Sequence, residues 1–287
     1  SAKAAANGSS YVVLGAIGHA SDAIAADDRG TPDAGAEESD RLAVHTVQSE
    51  FQSGPTKVRV LSPDELQASE KYPLLLVLPV EAGDGTRWGD SVREVLKHDL
   101  HNKHQLVCVF PTFSELPWYA DHPTDRGIRQ ESYLLETVIP LVERNYPIAE
   151  SPDRRLLVGF SKSGWGAWSL LLRHPDEFGK AAAWDAPLMM DRPGRYGSSP
   201  IFGGPENFEQ YRITTLLRRR TGLLSQSNRL ILLGHGGFKP QHDEIHELLD
   251  ELGILHHYRE GPQRDHSWHS GWLRTAVDLL TSDQPQD

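Results

Sequence analysis

Five short and almost unbroken apolar runs constrain this chain more than any other feature. They are Leu74–Val80, Leu106–Phe110, Leu156–Phe160, Ala181–Trp184 and Leu230–Leu233. Each is too short for an average helix and lacks the polar alternation of a half-exposed strand. Such runs suit strands buried on both faces of a mostly parallel sheet. The segments between them repeat their apolar residues at helical spacing. Val92, Val95 and Leu96 share one face, as do Leu134, Leu135, Val138, Ile139 and Val142. Trp168, Leu171 and Leu172 do the same, and so do Ile245, Leu248, Leu249 and Leu252. Ahead of these, Leu42–Phe51 and Lys57–Leu61 alternate apolar with polar and predict an antiparallel hairpin, with Gly54-Pro55 at its turn. After them, His256–Arg259 predicts a last strand, and Trp272, Ala276, Val277 and Leu280 a closing helix. Strand and helix in alternation predict an α/β fold, a mostly parallel central sheet with helices on both faces in a three-layer α/β/α sandwich. No internal repeat interrupts the series.

The pattern assigns residues 41–281 to one domain. Residues 1–40 differ, being rich in Ala, Gly, Ser and Asp, and read as an N-terminal extension with an acidic linker at Asp27–Asp40. Within them Lys3, the apolar Tyr11–Ile17 and the small residues Ala23-Ile24-Ala25 faintly resemble a secretory signal over residues 1–26. Residues 282–287 form a polar tail. Lys and Arg number 29 against 40 Asp and Glu, a net charge of -11, which argues against nucleic acid or an anionic membrane as the main partner. No apolar run approaches the ~20 residues of a membrane-inserted helix. The single cysteine, Cys108, excludes an internal disulfide and any cysteine-based metal centre. Composition fixes neither compartment nor oligomeric state.

Chemistry enters at Leu156-Leu157-Val158-Gly159-Phe160-Ser161-Lys162-Ser163-Gly164, where a buried strand runs straight into a helical pattern. A serine on such a tight strand-to-helix turn is a nucleophile elbow. The turn brings neighbouring backbone into contact, so the residues two before and two after the serine must be small. Gly159 and Ser163 satisfy this for Ser161. Ser163 itself is excluded as nucleophile, because Trp165 would occupy one of its flanking positions. The helix start also aims the backbone N–H of Lys162 at a developing oxyanion.

With these residues the chain resembles the α/β-hydrolase fold. More closely, it resembles the esterase family that includes S-formylglutathione hydrolase, feruloyl esterases and mycolyltransferases. The resemblance spans about Lys57 to Leu280. Besides the elbow it rests on Phe110-Pro111-Thr112-Phe113 followed by Pro117-Trp118-Tyr119, and on Glu131-Ser132-Tyr133 opening the helix that ends Asn145-Tyr146-Pro147. The late His266-Ser267-Trp268 followed by Trp272 completes it.

The resemblance implies a serine carboxylic-ester hydrolase, working through an acyl-enzyme on a small-molecule or carbohydrate-linked ester and needing no cofactor. It places the general base after the last strand, where His266 matches the family's late His-x-Trp; His269 falls in the first turn of the closing helix. The family usually carries its acid after the penultimate strand, but here that loop reads Gly234-His235-Gly236-Gly237-Phe238. The acid is therefore Asp185, directly after Ala181–Trp184, or Asp243, inside the helix Gln241–Leu252. Asp265 adjoins His266 too closely to orient its ring. A second oxyanion donor belongs to the loop after Leu74–Val80, at the N–H of Val80 or Glu81, with the Glu81 carboxylate turned away. Trp118, Tyr119 and His122 either wall the substrate pocket or pack beneath a long loop.

Three rival readings stand beside this one. A non-catalytic binding protein on the same scaffold would explain the departures at Ser163 and at the missing loop aspartate. An acyltransferase would use the same Ser-His-Asp site with an alcohol as acceptor. A metal centre is suggested by His242 and His246, at i and i+4, with His235 or His257 nearby, but no full ligand set is apparent and no metal is assigned. His98, His101 and His104 follow i+3 spacing and read as a solvated helix face.

Overall fold

In the strand Leu74–Val77 successive side chains enter two different cores. Leu74 and Leu76 face one, Leu75 and Val77 the other, and all four are buried. This is the period-two geometry of a strand covered on both sides, and it explains why the run shows no polar alternation. The computed structural model describes residues 13–14 and 41–282. The signal-like reading of residues 1–26, the linker Asp27–Asp40 and the tail beyond Ser282 otherwise lie outside the described residues.

The strands are β1 (Val13–Leu14), β2 (Leu42–Val47), β3 (Thr56–Leu61), β4 (Leu74–Val77), β5 (Val107–Pro111), β6 (Arg155–Phe160), β7 (Lys180–Trp184), β8 (Leu230–His235) and β9 (His256–Gln263). Among the described residues they form a nine-stranded sheet in the order β1-β2-β3-β5-β4-β6-β7-β8-β9. Pairing is antiparallel from β1 to β5 and parallel from β5 through β4 to β9. The predicted hairpin is β2–β3, with Leu42 opposite Leu61.

One core lies under the helices α2 (Ile139–Asn145), α3 (Ser161–Arg173), α4 (Ile213–Leu224) and α5 (Lys239–Glu251). The other lies under α1 (Ser91–Lys97) and α6 (Trp272–Thr281). The result is the three-layer arrangement expected from the alternating pattern. Among the described residues, no helix is long and apolar enough to cross a membrane. Cys108 sits fully buried in β5, where burial pushes its thiol pKa up and leaves it a packing residue.

Three local departures have physical causes. The run Leu74–Val80 stops being strand at Val77, because Pro79 has no N–H to give a ladder. The helical segment before β6 contains a π-turn at Leu134–Val138, just ahead of Pro140. Pro140 cannot donate to a carbonyl one turn back, and a widened turn accommodates it. The His98–His101–His104 stripe is not a solvated helix face. Asp99 takes a left-handed conformation (φ 54°), the helix breaks there, and His101 turns inward to become buried. Burial lowers its pKa, against the opposing pull of Asp64 and Asp99.

Candidate active site

Ser161 follows β6 and opens α3 with φ at 52°, the left-handed region that a side chain occupies only under strain. Two neighbours make that turn possible. A Cβ on Gly159 would lie 2.4 Å from the backbone carbon and oxygen of Ser163, so only glycine fits. Ser163 is itself buried and closes the turn, its Oγ donating to the Phe160 carbonyl at 2.8 Å and accepting from the Phe160 N–H at 3.1 Å. Ser163 thus acts as a staple.

Asp185 follows β7 and is 1% exposed. Its backbone carbonyl accepts the Ser161 N–H at 3.1 Å, which locks the two strand ends together. Its Oδ1 accepts the Phe238 N–H at 2.8 Å, and its Oδ2 lies 2.5 Å from His266 Nδ1. Burial opposes ionisation of this carboxyl. The His266 hydrogen bond and the N–H groups of Phe238 and Gly236 outweigh it, holding the pKa below the ordinary carboxylate range. A Cβ on Gly236 would lie 2.5 Å from Asp185 Oδ2. Gly236, in the loop where the family resemblance implied an acid, is therefore the residue that lets the loop close on Asp185. Asp243 takes a different partner: both its oxygens accept from Lys239 Nζ, at 2.7 and 2.8 Å.

The His266 imidazole packs edge-on against Phe160, the residue before Ser161, with ring centres 5.1 Å apart, and against Trp88 at the same distance. Its Nδ1 faces the carboxylate, which leaves Nε2 as the nitrogen free to take a proton. The loop carrying it is tied to the Trp88 carbonyl by the Trp268 N–H at 2.8 Å and the Ser267 hydroxyl at 3.1 Å. His269 precedes the closing helix, in a short 3₁₀ turn, and serves as a strut. Its Nδ1 donates to the buried Glu94 at 2.7 Å and its Nε2 accepts the Asp90 N–H at 3.1 Å. Neither Trp88 nor Glu94 stood out in the sequence, because Trp88 acts through a ring edge and a backbone carbonyl and Glu94 through a distant imidazole.

The loop after β4 is pinned from two sides. Lys162 Nζ donates to the Val80 carbonyl at 2.9 Å, and the Tyr119 hydroxyl donates to the carbonyl of Pro79. Burial lowers the Lys162 pKa, while the Glu81 charge opposes that fall. Glu81 Oε2 accepts the Trp88 N–H at 3.2 Å, which turns the carboxylate toward the Arg87–Trp88 segment.

Trp118 and Tyr119 have no exposed surface and do not wall an open pocket. Trp118 packs edge-on to Trp165 at 5.6 Å. Tyr119 presses so closely on α3 that a Cβ on Gly166 would lie 2.0 Å from its ring. His122 accepts the Asp125 N–H at 2.8 Å and shapes a turn. The aromatic pair thus belongs to packing and pinning, the second of the two roles open to it.

His242 and His246 diverge. His242 is buried, and its Nε2 accepts the Ala186 N–H at 2.9 Å, steadying the residue after Asp185. Burial pushes its pKa down to about 4. The unfolded chain protonates this ring below about 6.5 and the folded chain does not, so stability present above that pH is lost as pH falls toward 4. The gap corresponds to about 3 kcal/mol. His242→Gln, which keeps an acceptor for Ala186, is expected to flatten the fall in urea-unfolding free energy between pH 6.5 and 4. An unchanged slope would show that this ring is not the source.

Residues 49–212, more than half of the chain, match the family described as "Putative esterase". Esterase Rv1288 of Mycobacterium tuberculosis (strain H37Rv) is 27% identical over 139 residues, covering 47% of this chain and 30% of that protein. The chain thus spans under a third of the length of the curated relatives it matches. Among solved structures, a ferulic acid esterase superposes with a TM-score of 0.67 at 17% identity, over 84% of this chain and 97% of that one. FphF of Staphylococcus aureus, described as a fluorophosphonate-binding serine hydrolase, gives 0.68 at 15% identity, over 84% and 98%. S-formylglutathione hydrolase FrmB from the same organism gives 0.66 at 16%, over 84% and 99%. At such identities the likeness establishes the fold, which is that of the α/β-hydrolases. With more than half of its length matching the family, the chain belongs to the putative esterases.

Proposed function

We propose that this protein is a serine carboxylic-ester hydrolase with Ser161 as nucleophile, His266 as general base and Asp185 as the acid of the triad. The observation that carries the reading is the double engagement of Asp185. Its carboxylate holds His266 Nδ1 at 2.5 Å, and its own carbonyl holds the Ser161 amide at 3.1 Å. One residue thereby sets the position of both partners.

In this reading Ser161 Oγ attacks the ester carbonyl as His266 Nε2 takes its proton, and His266 then returns that proton to the leaving alcohol. Asp185 fixes the imidazole tautomer and stabilises the imidazolium. The N–H of Lys162, a first-turn donor of α3 without an intrahelical acceptor, faces the tetrahedral oxyanion together with an N–H of the loop at Val80–Glu81. Pinning of the Pro79 and Val80 carbonyls keeps that second donor in place before substrate arrives. Water then attacks the acyl-enzyme by the same route. Small acyl or carbohydrate-linked esters suit the family, and no cofactor enters any step.

Rapid mixing with p-nitrophenyl acetate tests the reading. An acyl-enzyme that accumulates gives a burst of p-nitrophenolate near one equivalent of protein before the steady rate. Absence of any turnover above the Ser161→Ala background would refute it.

A further inference from the structure

We propose that His246, His256 and Asp250 form a binding site for a late first-row divalent cation, best matched by Zn2+. His246 lies on α5 and His256 opens β9, with His246 Nδ1 2.8 Å from His256 Nε2. Asp250 follows one helical turn after His246, its Oδ2 3.8 Å from His246 Nε2. One donor atom from each of the three lies within 4.8 Å of the other two. Two imidazoles and a carboxylate are the donor set that Zn2+ takes, and an exposed Asp250 leaves the fourth position to water.

The surroundings are those of a prepared ligand pair. His256 Nδ1 donates to the Ile254 carbonyl at 2.9 Å, which fixes the tautomer and leaves Nε2 with a bare lone pair. A second hydrogen bond of this kind accompanies nearly every metal-ligating histidine. Burial lowers the His256 pKa. The His246 ring is stacked on Tyr258 at 3.9 Å and 26°, which fixes its plane. Two Zn–N bonds of ~2.0–2.1 Å at the tetrahedral angle hold their nitrogens roughly 3.3 Å apart. The pair at 2.8 Å need open by only about half an ångström. The ion replaces the proton shared between the two rings. The His246 ring changes tautomer, so that its proton sits on Nε2, where solvent reaches the partly exposed ring.

The location assigns the ion a structural part. His256 pairs with Leu230, the first residue of β8, at the amino edge of the sheet. Ser161 and Asp185 follow the carboxyl ends of β6 and β7, at the opposite edge. An ion here ties α5 to β9, an edge strand whose residues beyond Tyr258 are exposed.

Calorimetric titration of the metal-free full chain with ZnCl2 tests the site. One equivalent is expected at micromolar affinity or tighter, with a rise in Tm of about 3 °C or more at saturation. His246→Gln and His256→Gln are each expected to weaken binding at least tenfold while ester turnover persists. EDTA is expected to lower Tm without slowing turnover. Co2+ supplies a readout that does not need the variants, since a site of this kind gives visible bands of tetrahedral Co2+. Zn2+ binding that is unchanged in the His246→Gln/His256→Gln double variant, or Co2+ without such bands, would overturn the proposal.

Discussion

Ser161→Ala is expected to reduce ester turnover by a factor on the order of 10⁴–10⁶, the size seen when a triad nucleophile is removed and only binding and oxyanion donors remain. The fold should stand, because the Ser161 amide still meets the Asp185 carbonyl and the Gly159–Ser163 turn is untouched. A companion variant separates the backbone from the chemistry. Ser161 holds φ at 52°, and a left-handed residue with a side chain stores about 1–3 kcal/mol. Glycine releases that strain and alanine does not. Ser161→Gly is therefore expected to be as inactive as Ser161→Ala but to melt a few degrees higher. Equal melting temperatures would mean that the elbow carries no strain, and turnover retained in either variant would move the nucleophile elsewhere.

Asp185→Asn carries the second largest effect. An amide in this place presents its NH2 to His266 Nδ1 or loses the bond altogether. Where the amide oxygen stays on the Phe238 N–H and the NH2 faces Nδ1, the ring keeps its proton on Nε2 and cannot accept from serine; where the bond is lost, nothing holds the productive tautomer. The expected loss is about 10⁴-fold in kcat, with KM little changed. Asp243→Asn, which weakens surface contacts with Lys239 and Tyr258, is expected to stay within about twofold of the parent, as surface substitutions usually do. Steady-state hydrolysis of p-nitrophenyl acetate by the two variants decides between the carboxylates. If Asp185→Asn kept full activity and Asp243→Asn lost it, the acid would be Asp243.

The parts of this site that sequence reveals are those that depend on local pattern. A strand covered on both faces must be apolar throughout, so β4 to β8 announce themselves as runs. A nucleophile elbow must have small residues at fixed offsets, so Gly159, Ser161 and Ser163 are readable together. The proposed acid is different, because its contact is distant in sequence: 81 residues separate Asp185 from His266. A signal was nevertheless present. Gly236 stands in the loop where an acid was expected, and a side chain there would collide with the Asp185 carboxylate. Absence of a carboxylate in one loop and its presence in the neighbouring one are two halves of one packing arrangement. The aromatic residues Trp118 and Tyr119 left two roles open for the opposite reason. Aromatics near a strand end suit a pocket wall or a core equally well, and only Gly166, placed mid-helix where Tyr119 needs room, pointed to the core. His101 was misjudged because i+3 spacing assumes an unbroken helix, and Asp99 breaks it.

The central claim is that Ser161 is a nucleophile held beside an active base. Labelling of the whole chain with a fluorophosphonate, followed by peptide mass mapping, tests it most directly. The expected result is a single adduct on Ser161, absent from Ser161→Ala and formed far more slowly in Asp185→Asn. An adduct on another residue, or none on a folded chain, would contradict the account.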